Sequence, residues 1–229
     1  MTGMTTRRWT DAGTTWFAIS GAGAELTAPA EHVLMDYQRD GDEWRRGYPA
    51  DTPGLDTCWQ NFAGCAELML RQAARLEPVP WQETLRELCR RTRGQEPGWW
   101  LAGSTALAVR GARIEPGDID LVCSGDAARR LGAIFADALI EPVLRDGSSP
   151  IGEYWGRAFL TVRLEWIGAP KAGVDVPLPS DFGPVAASRL ETVTWEGWPL
   201  RVPPLDFQRA VSQRRGLTAR VALIDALLN

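Results

Sequence analysis

The sequence predicts an α/β (α+β) fold, in which a small mixed β-sheet is flanked by helices and followed by a helical C-terminal tail. Three patterns predict it. Apolar residues recur at helical spacing from Cys58 to Ala73. Apolar and polar residues alternate through 157–168, "RAFLTVRLEWIG", which is typical of a strand. The segment after Pro203 has the composition of two helices that meet near Gly216.

The elements of the N-terminal half are predicted from shorter patterns. The segment 14–20, "TTWFAIS", has the composition of a strand. The segment 29–41, "PAEHVLMDYQRDG", has a proline near its start and a glycine at its end, which favour a short helix. The segment 47–54, "GYPADTPG", is typical of a loop. The helix that begins near residue 58 ends at "PVP", and a second helix follows over 81–94.

Short strands and helices alternate through the centre of the chain. The predicted elements are a strand and a Gly-Ser turn in 98–104, a helix in 105–111, a strand in 118–124, a helix in 125–139, a strand in 140–145, a loop in 146–153 and a hairpin whose turn is at 196–198. We predict three parts: an N-terminal extension of unclear role (1–56), a core with its preceding helices (57–203) and a C-terminal helical segment (204–229).

Composition excludes several classes of protein. The net charge of −4 argues against a protein that mainly coats nucleic acid. No pair of the four cysteines has zinc-site spacing, and the single histidine, His32, does not complete one, so we expect buried thiols. A Ser-His-Asp or Cys-His centre would need that same histidine. The sequence shows no signal pattern and no long apolar run, which indicates a soluble cytoplasmic protein without a membrane partner.

Two carboxylates lie within an otherwise apolar strand. Asp118 and Asp120 project to the same face, because residues i and i+2 of a strand do so, whereas Ile119 points to the other face. Two ionised carboxylates at close range repel each other, and a divalent cation removes that cost. Mg²⁺ prefers hard oxygen ligands of this kind. The pair is therefore a candidate Mg²⁺ site.

A third carboxylate is expected on a second strand. If the strand that contains Glu165 lies beside 118–124 with the polar faces matched, Glu165 joins the two aspartates, and three carboxylates can hold two metal ions. Asp175 is the alternative third acid, but it could instead cap a loop. Glu165 could instead be a solvated acid on an edge strand, paired with Arg163.

The Gly-Ser turn before this strand is a candidate phosphate site. Gly103 lets the backbone approach a phosphate closely, and Ser104 adds a hydroxyl donor. The amides that open the next helix, at Thr105 and beyond, can bind an anion.

The order Gly-Ser, a spacer of thirteen residues and Asp-Ile-Asp in an apolar strand resembles the signature of the nucleotidyltransferase superfamily. The similarity is strongest to the compact type that includes aminoglycoside and lincosamide nucleotidyltransferases and those of toxin–antitoxin pairs. It covers about 98–168 directly and extends to the helical tail with its "RRG" turn. The resemblance implies a nucleotidyltransferase-type sheet with two Mg²⁺ ions.

The resemblance also implies roles for individual residues. Gly103 and Ser104, with Thr105 beside them, would hold the nucleotide phosphates, Asp118 and Asp120 would bind both metals, and Glu165 would be the third metal ligand and catalytic carboxylate. Arginines of the tail would reach the triphosphate, because guanidinium groups bind phosphate with two donors. Arg214 and Arg215 are the predicted contacts within a basic group that also contains Arg209 and Arg220; a solvated helix face is the alternative.

The expected activity is Mg²⁺-dependent transfer of a nucleoside monophosphate from an NTP to a hydroxyl of a small molecule, such as an aminoglycoside, another antibiotic or a metabolite. One alternative is a toxin–antitoxin nucleotidyltransferase that modifies tRNA or a partner protein, so a nucleic-acid partner is possible but not favoured. Another alternative is a non-catalytic nucleotide-binding module. The preferred NTP and the oligomeric state are not indicated by the sequence.

Overall fold

A four-stranded antiparallel sheet forms the N-terminal part of the chain, for which a computed structural model describes residues 3–95 and 98–228. Its strands are β1 (Thr5–Asp11), β2 (Thr14–Ser20), β3 (Gln38–Asp40) and β4 (Glu43–Pro49), in the spatial order β1-β2-β4-β3. Two helices, α1 (Ala24–Val33) and α2 (Leu55–Ala73), share a buried apolar cluster with this sheet. The predicted strand at 14–20 is confirmed.

The helix predicted for 29–41 is wrong in its bounds. Helix α1 begins before Pro29 and ends at Val33, and the chain then enters β3. Gly41, which favoured a helix end, has φ +63° and lies in the turn between β3 and β4. The loop predicted for 47–54 begins only after β4, because that strand stays paired with β2 as far as Pro49.

The central sheet has five strands in the order β5-β6-β9-β8-β7. They are β5 (Trp99–Leu101), β6 (Ile119–Cys123), β7 (Leu139–Arg145), β8 (Gly152–Phe159) and β9 (Arg163–Pro170). Strands β6 and β9 are parallel and the other pairs are antiparallel, so the predicted mixed sheet is confirmed. The helices of this region are α3 (Trp81–Arg91), α4 (Gly103–Ala108) and α5 (Gly125–Ile134).

The single strand predicted for 157–168 is wrong, because β8 and β9 share this segment as the two arms of a hairpin. The turn is closed by the amide of Leu160, which donates to the carbonyl of Val162 at 3.2 Å. It lacks Gly, Pro, Asn and Asp, the residues that usually mark a turn. Helix α3 supplies the missing support, since Thr84 Oγ1 accepts the amides of Thr161 at 3.3 Å and Val162 at 3.2 Å.

The C-terminal part follows the predicted order. A two-stranded hairpin, β10 (Glu191–Trp195) and β11 (Trp198–Val202), turns through Glu196 and Gly197, both at positive φ. The remaining helices are α6 (Pro184–Ala187), α7 (Leu205–Arg214) and α8 (Thr218–Leu228), the last two meeting at Gly216 with φ +69°. Within the described ranges, no helix combines the length and the apolar character that crossing a membrane requires.

The two largest buried apolar clusters among the described residues connect the sheets to their helices. One joins the central sheet to α3, α5 and the C-terminal hairpin. The other joins the N-terminal sheet to α1 and α2 and includes Ile140 of β7, so the two sheets share α2 as a neighbour. All four cysteines are buried free thiols, as predicted. The boundaries at 56/57 and 203/204 stay predictions.

Gly156 provides a test of this packing. It lies opposite the fully buried Trp166 in the β8–β9 register, and a Cβ at Gly156 would collide with the indole ring. We expect Gly156→Ala to lower the free energy of unfolding by about 1–3 kcal/mol, because overpacking forces neighbouring groups to shift. Denaturant unfolding measures it. Gly147→Ala is the control, since nothing lies within 4 Å of its added methyl group. Equal stability of both variants would contradict this account of the sheet.

Candidate active site

Three carboxylates meet where β6 and β9 lie side by side. Asp118 immediately precedes β6, Asp120 lies on β6 and Glu165 lies on β9. One carboxylate oxygen from each lies within 4.8 Å of those of the other two. The parallel register makes Asp120 and Glu165 direct partners, which places their side chains on the same face of the sheet. The structure therefore brings together the three acids that the sequence singled out.

The Asp120 carboxylate is the least neutralised of the three. Burial raises its pKa well above the usual value, and the negative charges of Asp118 and Glu165 raise it further. Among the described residues, no side chain or amide donates a hydrogen bond to this carboxylate. A buried acid surrounded by like charge is a favourable position for a cation.

Two arginines partly neutralise the other two acids. The guanidinium of Arg163 contacts Asp118 and lies 3.3 Å from Glu165 Oε2, and Arg157 contacts Oε1 of the same glutamate. Burial opposes ionisation of Glu165, but Arg157 and then Arg163 outweigh it, and the pKa of Glu165 lies below its usual value. The pairing with Arg163 was one predicted alternative. Its edge-strand part is wrong, because β9 lies inside the sheet between β6 and β8.

Asp175, the alternative third acid, is engaged elsewhere. Its Oδ1 accepts the amide of Ser180 at 2.8 Å and the hydroxyl of the same serine at 3.2 Å, and its Oδ2 accepts the amide of Val185 at 2.9 Å. These bonds close the loop between the 3₁₀ turn Ala172–Asp175 and α6. Asp175 thus has the geometry of a loop cap.

The Gly-Ser turn lies directly against the acids. Gly103 has φ +59°, and a Cβ there would collide with the Asp120 carboxylate, so the position requires glycine. Thr105 is fully buried, and its hydroxyl donates to the Asp118 carbonyl at 2.8 Å. Thr105 therefore supports the backbone of the first acid. Ser104 is also largely buried and faces a cavity.

One cavity, of about 410 Å³, opens beside Asp118. Its polar lining comes from helices α1, α4 and α8, from strand β9 and from the segments that follow α2 and precede β6: His32, Arg75, Ser104, Glu115, Arg163 and Arg220. We call it the Asp118 cavity. His32, the single histidine, is thus placed at the candidate site by α1.

A second cavity, of about 310 Å³, opens beside Asp120 and Glu165. Its lining combines aromatic residues with charged residues of the tail and of the loop before α6: Trp155, Trp166, Phe182, Asp181, Arg215 and Arg220. We call it the Asp120 cavity. Arg220 lines both cavities, so the acid cluster and this arginine lie where the two meet.

Only some arginines of the predicted basic group in the tail line the site. Arg215 and Arg220 line the Asp120 cavity, whereas Arg214 donates to the carbonyl of Pro179 at 3.0 Å and is not among the lining residues of either cavity. Arg209 pairs with Asp225 at 2.6 Å. The nucleotide contact assigned to Arg214 stays a prediction, and Arg220 is the better placed member of the group.

Asp181 is a site residue that the sequence did not reveal. It is buried, lines the Asp120 cavity and interacts with Arg220, Arg215 and Arg214. Burial raises its pKa to about 6, although these arginines lower it. It lies in the loop "PLPSDFGP", where no periodic pattern marks it.

The residues present fit divalent cations of the Mg²⁺ type. The donor set consists of carboxylate oxygens, the ligands that Mg²⁺ prefers, and it contains neither thiolate nor imidazole. The glycine cradle at residue 103 leaves space against Asp120 that a side chain would fill. Asp118, Asp120 and Glu165 are the residues that would hold such ions.

Comparisons with known proteins find several similar solved structures, including a bacterial protein and an aminoglycoside-modifying enzyme. No protein-family model and no curated protein sequence matches the chain. A protein of Thermotoga maritima, itself inferred to be a nucleotidyltransferase, is similar with a TM-score of 0.49 and 19% identity over 65% of this chain and 92% of its own. ANT(2″)-Ia, solved with adenylyl-2″-tobramycin, is similar with a TM-score of 0.44 and 16% identity over 64% of this chain and 88% of its own. These identities and TM-scores are too low to assign a function, so the function has to follow from the residues of the site.

Proposed function

We propose that the protein is a Mg²⁺-dependent nucleotidyltransferase that transfers a nucleoside monophosphate from an NTP to a hydroxyl of a small molecule. One observation carries the proposal: three carboxylates, from β9 and from the start of the adjacent β6, lie within 4.8 Å of one another, against a glycine that no other residue can replace without a collision. Metal-assisted phosphoryl transfer needs such a cluster, and a structural role does not, because packed like charges destabilise a fold.

The two cavities support a reaction with two substrates. The Asp120 cavity offers aromatic surfaces at Trp155 and Phe182 for a nucleobase and the cations Arg215 and Arg220 for a triphosphate. The Asp118 cavity is left for the acceptor. Both cavities are of a size that is typical of small-molecule sites, and both reach the acid cluster.

Each group of the site then has a task. Gly103 lets the backbone come close to the phosphates, and Arg215 and Arg220 line the same Asp120 cavity. Ser104, which lines the Asp118 cavity, would contact the phosphates from the acceptor side. Asp118, Asp120 and Glu165 hold the metal ions. When bound, Mg²⁺ neutralises charge on the phosphates and lowers the pKa of the attacking hydroxyl. Glu165 is the carboxylate of the cluster that would accept the proton of that hydroxyl.

A transfer assay tests the proposal. The protein is incubated with Mg²⁺, each α-labelled NTP in turn, and a panel of aminoglycosides, lincosamides and tRNA. We expect Mg²⁺-dependent appearance of the label in a small molecule, with release of pyrophosphate. Label in tRNA would instead support the toxin–antitoxin alternative.

The assay includes a variant of the cluster and a matched control. Asp118→Asn should lose transfer, whereas Glu153→Gln should retain it, because Glu153 lies on the same sheet but pairs with Arg145 at its rim. Absence of label in every acceptor, together with no Mg²⁺-dependent NTP binding by calorimetry, would contradict the proposed enzyme. NTP binding without transfer to any acceptor would favour the non-catalytic module.

A further inference from the structure

A chain of alternating charges runs from the N-terminal sheet to the acid cluster. It begins at Arg46 on β4 of the N-terminal sheet and continues across three adjacent strands of the central sheet, with Glu141 on β7, Arg157 on β8 and Glu165 on β9. Arg46 Nη1 lies 2.6 Å from Glu141 Oε2, and Arg157 Nη1 lies 2.6 Å from Glu141 Oε1. Arg157 then contacts Glu165 through its Nε. We call these four residues the charge relay.

The middle of the charge relay is deeply buried. Glu141 is 5% exposed and Arg157 is 6% exposed. A buried ion pair is a weak source of stability, because desolvation offsets most of the attraction, and an apolar pair often serves as well. The arrangement therefore calls for a role beyond packing. Each carboxylate oxygen of Glu141 accepts a hydrogen bond from a different arginine, Oε2 from Arg46 and Oε1 from Arg157. Glu141 thereby connects the N-terminal sheet to the site.

We propose that Arg46 and Glu141 are positioning residues that set the cation affinity of the Asp118–Asp120–Glu165 cluster through Arg157. The proposal rests on the metal-binding part of the proposed function. Because Arg46 lies within the 1–56 segment, the proposal also assigns that segment a role in the cation affinity of the site. Glu141 attracts the same guanidinium that contacts Glu165, and this attraction weakens the hold of Arg157 on Glu165 and makes the Glu165 carboxylate more available to a cation.

The charge relay predicts effects of opposite sign. Without the charge of Glu141, Arg157 is held by Glu165 alone, and a cation must compete with it more strongly. Without Arg46, Glu141 attracts Arg157 more strongly, and Glu165 becomes more available. Direct electrostatics acts in the same directions, because the first change removes negative charge near the site and the second removes positive charge. Mere structural damage would weaken binding in both cases.

Binding of Mn²⁺, measured by electron paramagnetic resonance on the full chain without nucleotide, tests the proposal. We expect Glu141→Gln to weaken Mn²⁺ binding about tenfold, the effect typical of a residue that orients a metal ligand. We expect Arg46→Met to tighten it by about twofold to threefold, since its charge lies one step further away. Arg45→Met is the matched control: the neighbour on β4 lies near Asp40, 3.6 Å away, and should leave Mn²⁺ binding unchanged.

A milder variant covers the case in which Glu141→Gln does not fold. Asp36 lies 3.4 Å from Arg46 and 3.9 Å from Arg157 and is half-exposed, so Asp36→Asn removes a negative charge beside the charge relay with little structural cost. It should weaken Mn²⁺ binding less than Glu141→Gln does. Binding that weakens in Arg46→Met, or that stays unchanged in Asp36→Asn and Glu141→Gln, would overturn the proposal. No Mn²⁺ binding by the unaltered protein would instead contradict the metal site itself.

Discussion

Replacing Asp120 with Asn should abolish nucleotidyl transfer while making the metal-free protein more stable. The amide cannot bind the cation as a carboxylate does, and we expect transfer to fall by about 10³-fold or more, because a metal ion contributes several kcal/mol to such a transition state. The same change removes one of three negative charges that lie within 4.8 Å of one another. The unfolding temperature without metal should therefore rise.

The two readouts separate this prediction from simple damage. Mg²⁺ should raise the unfolding temperature of the unaltered protein and not that of Asp120→Asn, because a ligand stabilises only the state that binds it. Asp126→Asn serves as the control, since Asp126 is an exposed acid that pairs with Arg129 on α5. If Asp120→Asn transfers at the control rate, the assignment of this residue to the metal is wrong.

Comparing Glu165→Gln with Asp175→Asn should identify the third carboxylate. Glu165 shares the face of Asp120 and belongs to the cluster, so Glu165→Gln should lower transfer by roughly 10²-fold at saturating NTP. Asp175 closes a loop through Ser180 and Val185, and Asp175→Asn should mainly lower stability. Steady-state kinetics and thermal unfolding of both variants give the comparison. A large loss of transfer in Asp175→Asn with normal transfer in Glu165→Gln would reverse the assignment.

The part of the site that local sequence could predict is the part that lies on neighbouring residues. The spacing of Asp118 and Asp120 places both on one face whatever surrounds the strand, and the Gly-Ser turn just before it is a local signal too. Placing Glu165 beside them required a guess about strand pairing, and the observed register agrees with it. The two aspartates and the turn thus follow from local patterns in a single sequence, whereas the position of Glu165 depends on the strand pairing.

The parts that sequence could not predict depend on contacts between distant residues. The β8–β9 turn has no turn-forming residue and is held by Thr84 of another element, so the local pattern predicts one strand where the structure has two. Asp181 reaches the site from an irregular loop. Arg46 and Glu141 are 95 positions apart, and nothing in either local segment indicates that they meet. The pattern at 29–41 was misleading because a hairpin glycine resembles a helix-ending one.

The pairing of Asp120 with Glu165 also determines where the chain between the two acids could be lengthened without changing the site. Their separation is fixed by the ladder of backbone hydrogen bonds between β6 and β9, and not by the residues that join the two strands. The exposed loop between β7 and β8 could therefore take an insertion without moving either acid, since doubling a flexible loop costs only about 0.6 kcal/mol in closure entropy. A one-residue slip of β9 would instead turn Glu165 to the opposite face. In a sequence pattern for related sites, the spacing of the first two acids should accordingly be constant, whereas the number of residues between them and the third acid can vary.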